Sequence, residues 1–235
     1  RFRNVTGVQT CALPISPTPR PKIDSMRVPR FSADDFRIRG PGATNGRATI
    51  NTIRGARFTQ WSERDVEIRD GYVVLPDDAS LMSVVHRHGR APAEPKTALI
   101  EGWDRWRGAY ASTYAHDSHN LTVFGADPAE MALAANTVAE MGGGIAVVAK
   151  GEIIARMAYP VAGLLSEKAP ADVAREHAAI TRAAGEICTW EPPYRVFKAL
   201  EGQSLACNAG PHLTDMGLTD GSTKQLRPTF AAAAE

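Results

Sequence analysis

Four of the six histidines, His86, His88, His116 and His119, fall within 34 residues of one another. An imidazole titrates near neutral pH, so such a cluster offers proton transfer, hydrogen bonding or metal ligation. The densest polar run is His116-Asp117-Ser118-His119-Asn120, followed at once by the apolar stretch 121–124. On an extended strand His116 and His119 would point to opposite faces, and could share one ion only if a turn intervened. Asp117 and His119 would then share a face, a spacing at which a carboxylate orients an imidazole for acid–base work. The competing reading is a polar turn whose side chains satisfy local backbone groups. His86-Arg87-His88 has the H-x-H form of a metal site at a strand end, but alone it is a weak signal, shared with many surface and hydrogen-bonded histidines. His177, expected on the inner face of a helix, and His212, expected in a loop, read as structural. Trp103 and Trp106 read as core, although either has the surface to stack on a ligand.

The elements that must position these residues are mixed. Apolar runs at 80–86 and 98–103 read as strands. Asp70-Gly71 and Lys150-Gly151 lie between apolar runs and read as hairpin turns. At 127–141 Asp127 can cap a helix, Pro128 suits its first turn, and Glu130 completes a capping-box pattern. Met131, Ala134, Val138 and Met141 repeat at helical spacing, and Gly142-Gly143-Gly144 ends the run. A second helix is expected over 170–184 with Val173, His177 and Ile180 inward, and a short third over 194–200. Residues 17–47 are rich in Pro, Gly and Arg and read as a linking or docking segment, with one strand at 36–38. The last 25 residues show no period. The fold class expected is α+β (mixed α/β): β-hairpin-rich sheets flanked by two to three helices. Eight βα units need about 250 residues, so this is not a TIM barrel.

Composition narrows the partners. The 235 residues carry 27 basic and 26 acidic side chains, a net charge of +1, which argues against nucleic acid or an acidic membrane surface. No apolar run approaches the roughly 18 residues of a membrane helix. Burial of roughly 70% of the unfolded surface is expected at this mass, enough for a sizeable core. The chain begins at Arg1, and residues 5–15, VTGVQTCALPI, read as the translation of a common short-read sequencing adapter. Residues 1–16 are therefore expected to be an artefactual leader and are set aside. That leaves Cys188 and Cys207, too few for a disulfide framework and in keeping with buried or idle thiols in a reducing cytoplasm. Walker A, G-x-G-x-x-G, G-x-S-x-G, H-E-x-x-H and the zinc deaminase signature are all absent.

Ala115-His116-Asp117-Ser118-His119-Asn120, the strand ending at Gly125, Asp127, Met131, Ala132, Ala135-Asn136 and Gly142–Gly144 together resemble the C-terminal domain of bacterial-type adenine deaminase. Arg87-His88-Gly89, Pro160-Val161-Ala162-Gly163-Leu164-Leu165-Ser166 and Leu213-Thr214-Asp215-Met216-Gly217-Leu218 extend the likeness, in collinear order, from about residue 20 to about 227. The chain departs from that pattern at His86, where Glu is usual, and over 91–106 and 191–209. The resemblance implies an amidohydrolase that turns adenine and water into hypoxanthine and ammonia in the cytoplasm, with manganese or iron as divalent metal, as a homo-oligomer. It also implies that the metal ligands lie in an N-terminal barrel outside this chain. Residues 48–230 would be the deaminase-like domain, with no metal or cofactor of its own. His88, His116, Asp117, Ser118, His119 and Asn120 would support the active site, and the chain alone would be inactive; the alternatives are a non-catalytic assembly module and a free-standing metal- or purine-binding domain.

Overall fold

A computed structural model describes residues 24–42, 44–56, 58–188, 200 and 202–231. The expected leader, all but Leu200 of the third helix expected over 194–200, and most of the divergent stretch 191–209 lie outside the described residues.

The centre is a nine-stranded sheet: β1 (Gly46–Arg54), β2 (Gln60–Arg69), β3 (Tyr72–Val73), β4 (Ala79–Val85), β5 (Lys96–Glu101), β6 (Gly108–Ser112), β7 (Leu121–Gly125), β8 (Gly144–Ala149) and β9 (Glu152–Ala158). Their order across the sheet is β3-β2-β1-β5-β4-β7-β6-β8-β9. Chain neighbours pair as antiparallel hairpins, β1 with β2, β4 with β5, β6 with β7 and β8 with β9. The β1–β5 contact is parallel. Asp70 and Gly71, at φ 53° and 80°, and Lys150 and Gly151, at φ 53° and 75°, make the two expected tight turns. Both positive angles suit the primed turns whose twist matches a hairpin.

Period-two alternation sorts each central strand onto two cores. Leu81 and Val85 of β4, Leu121 and Val123 of β7, and Ala146 and Val148 of β8 face one way, beneath α1 (Pro128–Glu140). Met82 and Val84, Phe124, and Ile145 and Val147 face the other way, beneath α2 (Pro170–Ile187). A sheet covered on both faces needs apolar residues at almost every position, which is why 80–85 and 145–149 read as continuous runs. Trp103 and Trp106 belong to the second core, stacked on Phe124 at 5.8 and 5.7 Å. The fold is α+β with no closed barrel, and no helix among the described residues is long and apolar enough to cross a membrane.

Several local expectations are corrected. Asp127 caps α1 by accepting from the amides of Ala129 and Glu130, but Glu130 does not return the bond. Its Oε1 accepts from Gly151 N at 2.9 Å, tying the helix start to the β8–β9 turn. Around 36–38 a single turn of 3-10 helix (Ala33–Phe36) precedes one isolated bridge, Arg39 to Tyr72. Phe31, Phe36 and Ile38 are buried in the first core, and the amide of Asn136 on α1 exchanges two hydrogen bonds with Phe31. On α2 the buried face is Ile180, Ala183, Ala184 and Ile187; His177 is exposed. The patternless C-terminal stretch is a three-stranded meander, β10 (Pro211–Thr214), β11 (Gly217–Asp220) and β12 (Gln225–Leu226). It places His212 on a buried strand, not in a loop, with Nδ1 donating to the Gln203 carbonyl at 3.1 Å.

Candidate functional site

Adjacent β4 and β7 end side by side, Val85 opposite Leu121. The chain leaving β4 carries His86, Arg87 and His88, and the chain entering β7 carries residues 114–120. Sheet pairing therefore brings together two histidine groups some 30 residues apart.

Residues 116–118 form a turn, not a strand. His119 N donates to the Ala115 carbonyl at 2.8 Å, and Ala115 N donates to His119 Nδ1 at 3.3 Å. His119 sits at φ 49°, the left-handed conformation that lets the chain double back. Strand alternation is lost, and the rings of His116 and His119 lie 5.2 Å apart. Tyr114 stacks on His119 at 5.7 Å and meets His116 edge-on at 5.3 Å. His88 joins them through Nε2, which donates to the Ser118 carbonyl at 3.0 Å. Asp117 and Ser118 are exposed, whereas Asn120 is buried at the foot of β7.

These contacts fix the tautomers. A backbone amide can only donate, so His119 Nδ1 accepts and its proton sits on Nε2. His88 uses its Nε2 proton on a carbonyl, which leaves Nδ1 as an acceptor. Burial, the like charges of His116 and Arg87, and His88 hold His119 below the ordinary imidazole pKa against the opposing pull of Asp117. Burial, with Arg87, His86 and Arg90, does the same to His88. Both rings are neutral at pH 7, a hydrogen-bond donor on one and an acceptor on the other.

His86, Asp215, Cys207 and Ser204 complete the surroundings. His86 Nδ1 lies 2.8 Å from Asp215 Oδ2, while its Nε2 accepts from Arg90 N at 3.2 Å. His86 thus donates from Nδ1 to a carboxylate, and it pins the β4 exit to the end of β10. The spacing of 129 residues hid this pair from the sequence: Asp215 stands in a motif of the resemblance, but His86 is where the chain departs from it. Cys207 is also exposed beside the turn rather than buried, and its thiol pKa is raised by partial desolvation and by the neighbouring Asp117 carboxylate. Cys188 is buried. Ser204 Oγ donates to the His116 carbonyl at 2.7 Å, closing the turn from that side. Among the described residues no three or more His, Cys, Asp or Glu side chains are gathered so as to hold a metal ion. The H-x-H of His86 and His88 instead spends its nitrogens on Asp215, Arg90 and Ser118.

The histidine turn, the strand it enters and the capped helix that follows all lie inside residues 56–225, which match the adenine deaminase C-terminal domain family. The chain belongs to that family. It is 51% identical over 224 residues to an adenine deaminase of Klebsiella pneumoniae strain 342, covering 94% of this chain and 37% of that protein. It is 52% identical over 212 residues to an adenine deaminase of Serratia proteamaculans, covering 90% and 36%. An adenine deaminase 2 of Rhizobium meliloti is 49% identical over 213 residues, covering 91% and 35%. This adenine deaminase C-terminal domain thus spans little more than a third of the length of those curated relatives.

Proposed function

We propose that this domain forms one wall of the active site of an adenine deaminase, the histidine turn facing the purine. The reaction is hydrolytic: water adds at the ring carbon bearing the amine, and ammonia leaves to give hypoxanthine. The metal that lowers the pKa of the attacking water would be held outside the described residues, so the domain alone is inactive. What its own side chains supply is recognition. The observation that carries this reading is the pair of imidazoles at one turn, His119 with Nε2–H, its Nδ1 held by the Ala115 amide, and His88 with Nδ1 as acceptor, its Nε2 held by the Ser118 carbonyl. A donor and an acceptor at one turn complement a ring nitrogen and an exocyclic amine, the pattern adenine presents along one edge. Asp117 and Ser118, exposed at the tip of the same turn, are placed to order water, and His116 completes the polar rim.

The test is the Klebsiella enzyme with alanine at the histidine that aligns with His119. Loss of one such hydrogen bond is expected to lower kcat/KM at least tenfold, about 1.4 kcal/mol of transition-state stabilisation. Unchanged kcat and KM would remove the turn from the active site.

A second reading, a non-catalytic assembly module, is favoured by one observation. A groove of about 790 Å³ is lined by Tyr114, Met157, Tyr159, Leu164, Leu165 and Val173, and Leu165 is 63% exposed. Such a face suits burial against another body, whether the rest of the enzyme or a second copy in a homo-oligomer. Leu165→Asp in the full-length relative, with assembly lost and the His119 variant fully active, would favour this reading over the first.

A further inference from the structure

Arg87 is 1% exposed, yet among the described residues no carboxylate pairs with it. A buried guanidinium without a counter-ion is costly unless every donor is used, and such groups persist where their geometry is needed. Here the donors reach three separate segments. Nε donates to the His119 carbonyl at 2.5 Å, Nη1 to the Ser25 carbonyl at 3.3 Å and to Ser25 Oγ, and Nη2 to the Ala162 carbonyl at 3.2 Å. Gly163, at φ 71°, lies so close that an added Cβ would stand 2.6 Å from Nη1. The loop after β9 is therefore shaped around this guanidinium.

We propose that Arg87 is the positioning residue of the histidine turn, the side chain through which the N-terminal segment and the loop after β9 fix where His119 stands. It deepens the active-site reading above and rests on it for its catalytic meaning. The His119 carbonyl that it holds belongs to the residue in the left-handed conformation, so releasing that carbonyl frees the point on which the doubling-back of the chain depends. Its charge also bears on the rings. The groups facing His119 are Arg87, His88, His116 and Asp117, and those facing His88 are Arg87, His86 and Arg90. Desolvation drops the Arg87 pKa only to about 10, so it stays a cation throughout the range in which those rings titrate.

The experiment uses the 235-residue chain with two substitutions. In Arg87→Lys the charge stays but one ammonium cannot span three segments. The His119 amide should exchange with deuterium at least tenfold faster, while β4 and β7 amides change less than threefold. In Arg87→Gln the His119 ring, followed by NMR, should titrate at higher pH than in the parent, whereas in Arg87→Lys it should not. Exchange at His119 that moves only in step with β4 would make Arg87 merely structural and overturn the proposal, and so would an unmoved His119 titration in a folded Arg87→Gln chain. Should Arg87→Gln not fold, the lysine variant decides alone. Neither readout depends on turnover, so a null result here is distinct from a fully active His119 variant, which would sink the active-site reading instead.

Discussion

Gly163 and Asp215 are ordinary letters in the sequence, and only contact with the β4 exit gives them a task. Gly163→Ala would put a methyl against a buried guanidinium at a positive φ, two penalties at one position. A loss of about 2–4 kcal/mol is expected, read from the denaturant midpoint. A loss below about 0.5 kcal/mol would mean that the loop can swing clear of Arg87. At Asp215 the tautomer argument makes a finer prediction. His86 receives the Arg90 amide on Nε2 and donates from Nδ1, a bond that the carbonyl of an asparagine can also accept. Asp215→Asn should therefore cost little, whereas Asp215→Leu leaves a largely buried donor unpaired and should cost about 1–3 kcal/mol. Equal losses for the two variants would show that the carboxylate charge, and not the hydrogen bond alone, holds the pair together. The histidines themselves were legible as chemistry, because their types and crowding announce it. Their arrangement was not, because alternation along an assumed strand separated rings that a turn brings to 5.2 Å.

At the scale of elements, legibility followed the strength of local rules. The two tight turns carry residues that accept positive φ, and strands buried on both faces show as apolar runs, so the hairpins could be read directly. The start of α1 was legible for the same reason, since Asp127 has the short acceptor that a first turn needs. Asp127→Ala should cost about 1 kcal/mol of stability, and Glu130→Ala should cost less, because the Glu130 bond to Gly151 N is exposed. A capping box would make the two losses similar, so comparing them by thermal melting separates the two arrangements. On the inner face of α2 Ile180 is buried and Val173 packs against the second core as expected, and only His177 was misjudged, because the fully buried contacts, Ile180, Ala183, Ala184 and Ile187, lie in the second half of the helix. There, packing against β8 and β9 decides the face, and His177 is left outside. The meander of β10 to β12 escaped notice altogether. Strands of four, four and two residues are too short for a period to emerge.

For the whole molecule, the histidine turn ties stability to pH in a direction that can be worked out. His119 is held below the ordinary value of 6.5 in the folded state, so between its folded and unfolded pKa values the unfolded chain binds more protons. Stability then rises with pH through that window. It is complete above about 6.5 and declines as pH falls towards the folded pKa. Asp78, Asp220 and Glu94 act at lower pH, since partners hold their carboxyls below the usual range and their contribution goes only as they protonate. These carboxylates are exposed and screened, so their share is small. Two stages of weakening are thus expected on acidification, the first near neutrality and the second below about pH 4.5. His119→Gln, which keeps a hydrogen-bonding side chain but cannot titrate, should shrink the first stage to the share of His88, which is depressed in the same way, and leave the second. Denaturant midpoints measured from pH 8 to pH 4 give the comparison. A parent chain whose midpoint is level between pH 7.5 and 5.5 would show that the turn accepts a proton without strain. In that case burial and the neighbouring charges would not hold His119 neutral, and the donor-and-acceptor pair assigned to His119 and His88 would rest on hydrogen-bond geometry alone.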